Sequence, residues 1–561
     1  MKPICCLIST LLYLVNPAGA NANETPSLTT SPLVVALPQP EAARFLAQAT
    51  FGPKPGDIEK LAQQGFISWL NNQFTAPPTS HKAYLDQIIS GLPPGSKALP
   101  THVYQSFWRQ AATGNDQLRQ RLVFALSELF VISVDGSLSN YPRGVAGYLD
   151  VLGQHAFGNF RQLLEAVSTS PMMGIYLSHL KNRKEDPQRG RVPDENYARE
   201  VMQLFSIGLY QLNPDGTPRL VNGKPVETYG NDDVTGLAKV FTGWSWGGPD
   251  LSDARFNGSV KDPNRDVIPM QNYPKFHSTS EKRFLGVIIP AGTNGPDSLR
   301  MALDRLFNHP NTGPFITRQL IQRLVTSNPS PAYVQRVANV FANNGQGIRG
   351  DMKAIIRAIL LDNEARNLNQ LNSPAFGKLR EPVVRLANWM RAFGKPSNSG
   401  NYLVGNTDST TTSLAQTPMR SPSVFNFFRP GYVPPGTAIA DRGLVAPEFQ
   451  ITHETSVAGY LNFMQNVVAK GVGTTANNVR DIPPDYAAEL ALADNPDALL
   501  ARVELLLAYG GLSSGNRQTI RNAVASITIP ADPVKAATAR RNRVQLAVYL
   551  VMASSDYLVQ R

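Results

Sequence analysis

The sequence predicts a mainly α-helical protein: a large multi-helix bundle with a small β-hairpin element and long irregular loops. Three observations carry the prediction. Apolar residues recur three and four apart along much of the chain, the spacing of a buried helical stripe. Alternating, strand-like patterns are confined to two short segments. Two long stretches, 247–282 and 397–417, are rich in turn-forming and small polar residues and have almost no period. With 42% hydrophobic and 17% charged residues, the 561-residue chain has the composition of a folded protein rather than a disordered one.

In chain order, Lys2, the apolar run from Ile4 to Val15 and Ala18-Gly19-Ala20 make the three parts of an export signal over residues 1–20. A periplasmic or secreted protein is expected. Cleavage after Ala20 removes both cysteines, Cys5 and Cys6, so neither a disulfide nor a cysteine nucleophile is expected. Residues 21–40, rich in Pro, Ser and Thr, read as a linker. A main helical domain follows over 41–395. Its clearest stripes are Leu118, Leu122, Ala125, Leu126 and Leu129, then Ile316, Leu320, Ile321 and Leu324, then Met352, Ile355, Ile356, Ile359 and Leu360. Further helices are expected at 55–74, 143–155, 159–168, 232–242 and 378–393. Asp215-Gly216 and Asn222-Gly223 are turn dipeptides that make 210–226 a hairpin, and 284–290 reads as one more strand. Residues 396–418 read as an Asn/Ser/Thr-rich surface insertion. Residues 419–561 read as a C-terminal helical region packed on the main domain, with helices at 447–468 and 537–554.

Lys and Arg number 53 against 42 Asp and Glu, a formal charge of +11. The cations are scattered and form no long run, so no nucleic-acid partner is expected, whereas an anionic polysaccharide is a compatible one. No stretch after the signal reaches the roughly 18 apolar residues that span a membrane, so no transmembrane segment is expected.

Polar chemistry concentrates in Arg191-Val-Pro-Asp-Glu-Asn-Tyr-Ala-Arg-Glu-Val-Met-Gln-Leu-Phe205. On a helix, Asn196, Arg199, Glu200 and Gln203 share one face, because residues three and four apart are neighbours. A carboxylate, a guanidinium and two amides on one stripe suit shaped hydrogen bonding to a polar substrate. The alternative is a solvated stripe with a Glu195–Arg199 pair. Asp232 and Asp233 open the next helix, where acids cap free N–H groups; one of them can instead face the cleft, which would pair Glu200 with Asp233 as acid and base. Of seven histidines, His277 is the candidate for proton transfer, since it lies in an irregular stretch with freedom to approach a substrate. His155 and His179 read as helix-end residues. Trp244 is placed with Glu195, Asn196, Arg199 and Gln203 among the substrate-binding residues. No HExxH, close His pair or EF-hand spacing occurs, so no metal site is expected, and no motif names a cofactor. Gly345-Gln-Gly347-Ile-Arg-Gly350 matches a dinucleotide-loop pattern but follows a helix, and reads as a connector with Asp351 capping the next helix. Glu448 and Glu454 read as helix-start acids, and Phe425, Phe427 and Phe428 as core.

Several motifs together resemble the family catalogued as domain of unknown function 1800. They are Ala42-Ala-Arg-Phe-Leu-Ala-Gln-Ala-Thr-Phe-Gly-Pro53, Pro193-Asp-Glu-Asn-Tyr-Ala-Arg-Glu-Val-Met-Gln-Leu-Phe-Ser-Ile-Gly208, Phe241-Thr-Gly-Trp244, Gln319-Leu-Ile-Gln-Arg-Leu-Val325, Ser421-Pro-Ser-Val-Phe-Asn-Phe-Phe-Arg-Pro430 and Ser555-Asp-Tyr-Leu-Val-Gln-Arg561. The resemblance covers nearly all of the chain beyond the signal. It implies an exported, mainly helical bacterial protein with no established activity to carry over. It also implies a phosphatase- or sulfatase-like partner, because the family's genes often neighbour a second family of unknown function that looks like alkaline-phosphatase or sulfatase relatives. Where many relatives carry Asp after the loop histidine, this chain has Ser278, so a His–Asp dyad does not follow there.

Two functions stand side by side at this point. One is a hydrolase or lyase on an extracellular polar polymer, with Glu200 or Asp233 as acid/base, Arg199 holding an anionic group and His277 moving protons. The other is a non-catalytic periplasmic binding or assembly partner of a phosphatase/sulfatase-like protein, with the polar motif as an internal packing network.

Overall fold

In the computed structural model, which describes residues 36–561, two helices are buried on every face: Gln117–Ser127 and Pro382–Phe393. On a helix enclosed on all sides, each polar residue must find a partner. Gln117 Nε2 donates to the carbonyl of Gly114 at 2.9 Å, Arg119 Nη1 to that of Gly153 at 2.8 Å, and Arg121 Nη2 to that of Arg323 at 2.7 Å. Helix Pro100–Thr113 packs on both helices. The protein is 52% helical, with 24 α-helices among the described residues against five two-stranded antiparallel sheets, so its class is mainly α. Each of the three apolar stripes read from the sequence lies in the core, with no member more than 4% exposed.

The C-terminal helices Pro496–Ala508, Ser514–Ala525 and Pro533–Ala553 pack on one another, and the first also packs on the N-terminal helix Gln39–Ala49. Strand Val559–Gln560 pairs antiparallel with Lys378–Leu379 just before the core helix Pro382–Phe393. Residues 36–561 form one compact unit, and among them no helix is long and apolar enough to cross a membrane. The expected export signal and residues 21–35 of the linker lie outside the described residues.

Several expected boundaries move, each for a local reason. The first helix begins at Gln39, inside the expected linker, because Pro40 suits a first helical turn. The helix expected at 55–74 runs over Asp57–Thr75 but breaks at Gly65, whose φ of 78° is a conformation glycine adopts readily. The helix expected from 378 starts only at Pro382, because Lys378 and Leu379 are taken into strand pairing. The helix expected at 447–468 is a 3-10 turn, Pro447–Ile451, followed by an α-helix, Glu454–Lys470. The single strand expected at 284–290 is a hairpin, Lys282–Phe284 against Val287–Ile289. The segment 396–418 is not wholly superficial, since Thr407, Leu414, Gln416 and Thr417 are buried where Gln416 pairs with an interior carboxylate.

Helix Asn231–Ala238 lies so close to the Lys282–Ile289 hairpin that a Cβ on Gly236 would stand 1.7 Å from the carbonyl oxygen of Arg283. Gly236→Ala is therefore expected to destabilise the protein by about 1–3 kcal/mol through overpacking, despite alanine's better helix propensity. Gly515→Ala, in a helix with open space at that position, should be neutral or stabilising by up to about 1 kcal/mol. Scanning calorimetry of the two variants checks the contrast; equal thermal midpoints would contradict it.

Candidate functional site

The polar motif forms helix Asn196–Gln203, which packs beside Asn231–Ala238. Its polar face does not make one wall. Asn196 is exposed. Arg199 is half-buried, 3.6 Å from Glu195, whose carboxylate also accepts from the Thr235 hydroxyl at 2.7 Å. Glu200 is buried with Oε2 lacking any hydrogen-bond partner, and burial raises its carboxyl despite Arg199 alongside. Gln203 Oε1 accepts from the Tyr229 hydroxyl at 3.4 Å.

Asp233 has both oxygens in use: Oδ2 accepts from the Gly230 N–H at 2.8 Å and Oδ1 from the Leu285 N–H at 2.6 Å. It caps its helix and ties it to the hairpin, and among the described residues no hydrogen bond joins it to Glu200. Nor is His277 a free loop histidine. It is 2% exposed, and its Nδ1 lies 2.8 Å from the Thr242 carbonyl, which fixes the ring proton on Nδ1 because a carbonyl only accepts. Burial holds the imidazole below its ordinary pKa. Strand pairing of Trp244–Ser245 with Gln271–Asn272 draws this stretch inward. The neighbouring Ser278 hydroxyl donates to Glu185 Oε1 at 2.9 Å. Among the described residues no hydrogen bond or ion pair joins His277 to Glu200 or Asp233. Trp244 is buried and donates to the Val240 carbonyl at 3.2 Å.

Charge gathers instead between the ends of the two core helices. Glu128 closes Gln117–Ser127, and Glu381 opens Pro382–Phe393. Arg121 shares the Glu128 face, two helical turns earlier. Arg323 comes from the last turn of helix Thr312–Leu324, Lys378 from the strand, Glu448 from the 3-10 turn and Gln416 from the irregular stretch. None of these seven side chains is more than 5% exposed. Lys378 Nζ lies 3.0 Å from Glu448 Oε1 and 3.7 Å from Glu381 Oε1, and donates to the Arg323 carbonyl at 2.9 Å. Arg121 donates to that same carbonyl, so two cations sit at the negative end of helix Thr312–Leu324. Arg323 Nη1 lies 3.5 Å from Glu128 Oε2, and Gln416 Nε2 donates to Glu381 Oε2 at 2.8 Å.

The two helix-end carboxyls differ in charge. Burial raises Glu128 well above its ordinary value, the negative charge of Glu381 adds to this, and Arg323 only partly opposes it. Its place at a helix C-terminus disfavours ionisation further. Burial would raise Glu381 too, but Lys378, the hydrogen bond from Glu128, Arg323 and Arg121 outweigh it and hold the carboxyl at about 2. The positive end of its own helix works in the same direction. The two carboxyls are thus shifted in opposite directions, Glu128 upward and Glu381 downward.

Glu128 and Arg323 form the inner end of a cavity of about 300 Å³. Its walls are largely apolar, with Leu129, Leu204, Phe315, Phe425 and Phe428, and Gln203 and Gln319 supply amides. Arg323 lies over the Phe428 ring at 4.5 Å, and the exposed Arg429 over Phe425 at 4.8 Å. A wider cleft of about 500 Å³ lies among Thr79, Tyr84, Arg109 and Asp116, but the Asp116 carboxylate is already hydrogen-bonded by Thr79 and Gln120.

Of the residues expected to bind substrate, only Gln203 lines the smaller cavity. No motif in the sequence sets Glu128, Arg323, Lys378 or Glu381 apart, and Glu448 reads there as a helix-start acid. A usable signal was present: Arg121 and Glu128 interrupt the stripe from Leu118 to Leu129, where a charge is tolerated only with a partner. Fold and site together define an α-helical protein with a buried carboxyl pair opening on an amphipathic cavity. The chain belongs to the family described as "Protein of unknown function (DUF1800)", whose model matches residues 44–559. No curated protein and no solved structure matches it.

Two stability measurements follow. Lys378→Met leaves Glu381 and Glu448 buried without their shared cation and should cost about 3–5 kcal/mol in denaturant unfolding. Glu128 has its folded-state value raised, so the stability it contributes is complete below its ordinary value of 4.5 and is lost as pH rises through the raised one. Glu128→Gln escapes that loss. The thermal midpoint of the variant relative to wild type should therefore climb between pH 5 and pH 8, and a pH-independent difference would show that Glu128 is ionised.

Proposed function

We propose that the protein is an exported acid–base enzyme, a hydrolase or lyase, with Glu128 as the proton donor. The observation that carries the reading is that Glu128 lines the cavity while burial and the negative charge of Glu381 raise its carboxyl. A carboxylic acid kept protonated near neutral pH can deliver its proton to a leaving-group oxygen as the bond to carbon breaks. Arg323 beside it stabilises the negative charge that builds on that oxygen. Glu381 holds the proton's return path: the pair recovers it from the attacking water in hydrolysis, or from the carbon that loses hydrogen in elimination. Export rests on residues 1–20 of the sequence.

A second reading is favoured by the way the cluster joins residues from 121 to 448. In it the cluster is a clasp within a non-catalytic binding or assembly partner of a phosphatase/sulfatase-like protein, and Glu128 serves packing. One variant separates the two. Purified wild type and Glu128→Gln are assayed on chromogenic ester, glycoside and uronide panels, with the thermal midpoint measured alongside. The enzyme reading expects turnover that falls by about a hundredfold or more in the variant with folding retained. Turnover equal in both proteins, or none in wild type, favours the clasp.

A further inference from the structure

Resting on the acid–base reading of Glu128, we infer that the cavity takes a small organic anion with an aromatic or aliphatic body, not a polysaccharide chain. The walls make the first argument. Phe315, Phe425 and Phe428 with three leucines present apolar surface, while only Gln203 and Gln319 offer side-chain amides. Sugar hydroxyls pressed against such walls would lose hydrogen bonds to water without replacement. An aromatic or alkyl body gains from the same contact. A volume of about 300 Å³ with Glu128 and Arg323 closing its inner end also suits a compact molecule rather than a threaded chain.

Charge makes the second argument. With Glu128 neutral, three cations (Arg121, Arg323 and Lys378) oppose two anions (Glu381 and Glu448), and the carbonyl end of helix Thr312–Leu324 offsets the surplus only in part. Arg429 adds a cation at the mouth. Among the described residues its guanidinium makes no ion pair and donates no hydrogen bond, while its stacking on Phe425 holds it at the rim. Inside, Oε2 of Glu128 is buried and meets no hydrogen-bond partner. The ligand's anionic group is placed at Arg429, its body between the phenylalanines, and its reacting oxygen at Glu128.

Titration calorimetry of the mature chain with 4-phenylbutanoate, 4-phenylbutan-1-ol and trigalacturonate tests this. Saturable binding of 4-phenylbutanoate is expected, about tenfold tighter than the alcohol. Arg429→Ala, a change at an exposed side chain, should bring the acid down to the alcohol's affinity and leave the alcohol unchanged. Glu128→Gln should bind the acid as wild type does, so the ligand class is read independently of whether Glu128 donates a proton. The inference is overturned if 4-phenylbutanoate does not bind, if Arg429→Ala leaves its affinity intact, or if trigalacturonate binds more tightly.

Discussion

Lys378 presents its ammonium to the carbonyl of Arg323 and to the carboxylates of Glu381 and Glu448, at 3% exposure. A cation that deep is tolerable only where opposite charge and hydrogen-bond acceptors surround it, since desolvation alone would expel or neutralise it. Meeting that condition brings together a strand anchored by the C-terminal residues, the end of one helix and the start of another. The cavity between them inherits its shape from this requirement, because Arg323 and Glu128 line it while serving the same network.

Helix polarity then divides the labour of two identical side chains. Glu128 and Glu381 are both glutamates, both buried, and Gln416 Nε2 donates to each. One stands at the carbonyl end of a core helix and the other at the amide end of a second. The partial charges of those ends oppose ionisation at the first and favour it at the second, and Lys378 settles the bias. The opposite shifts of the two carboxyls follow from where two helices stop and start. The polar helix at 196–203 meets this network only at its end: Asn196 is exposed, Arg199 is half-buried, and its last residue, Gln203, lines the cavity.

Much of the fold was legible in the residue order. The stripes at 118–129, 316–324 and 352–360 name core helices because a period near 3.6 depends on nothing but the local chain. Boundaries read less well where tertiary pairing intervened, as at Lys378–Leu379, which a distant strand claims. The site was legible only in fragments. Gln203 was named for its chemistry, and the motifs at 319–325 and 421–430 line the cavity, but nothing in their spacing joins them to Glu128 or Glu381.

The sequence by itself determined a mainly helical, cysteine-poor, basic chain with particular buried stripes, since composition and periodicity are properties of neighbouring residues. Which charges meet was decided only by the tertiary structure. Glu128, Arg323, Lys378 and Glu448 come from separate segments, and electrostatic pairing acts through space with no period to betray it. His277 and Asp233 show the converse: each looked available along the chain, and backbone groups from other segments had already taken it.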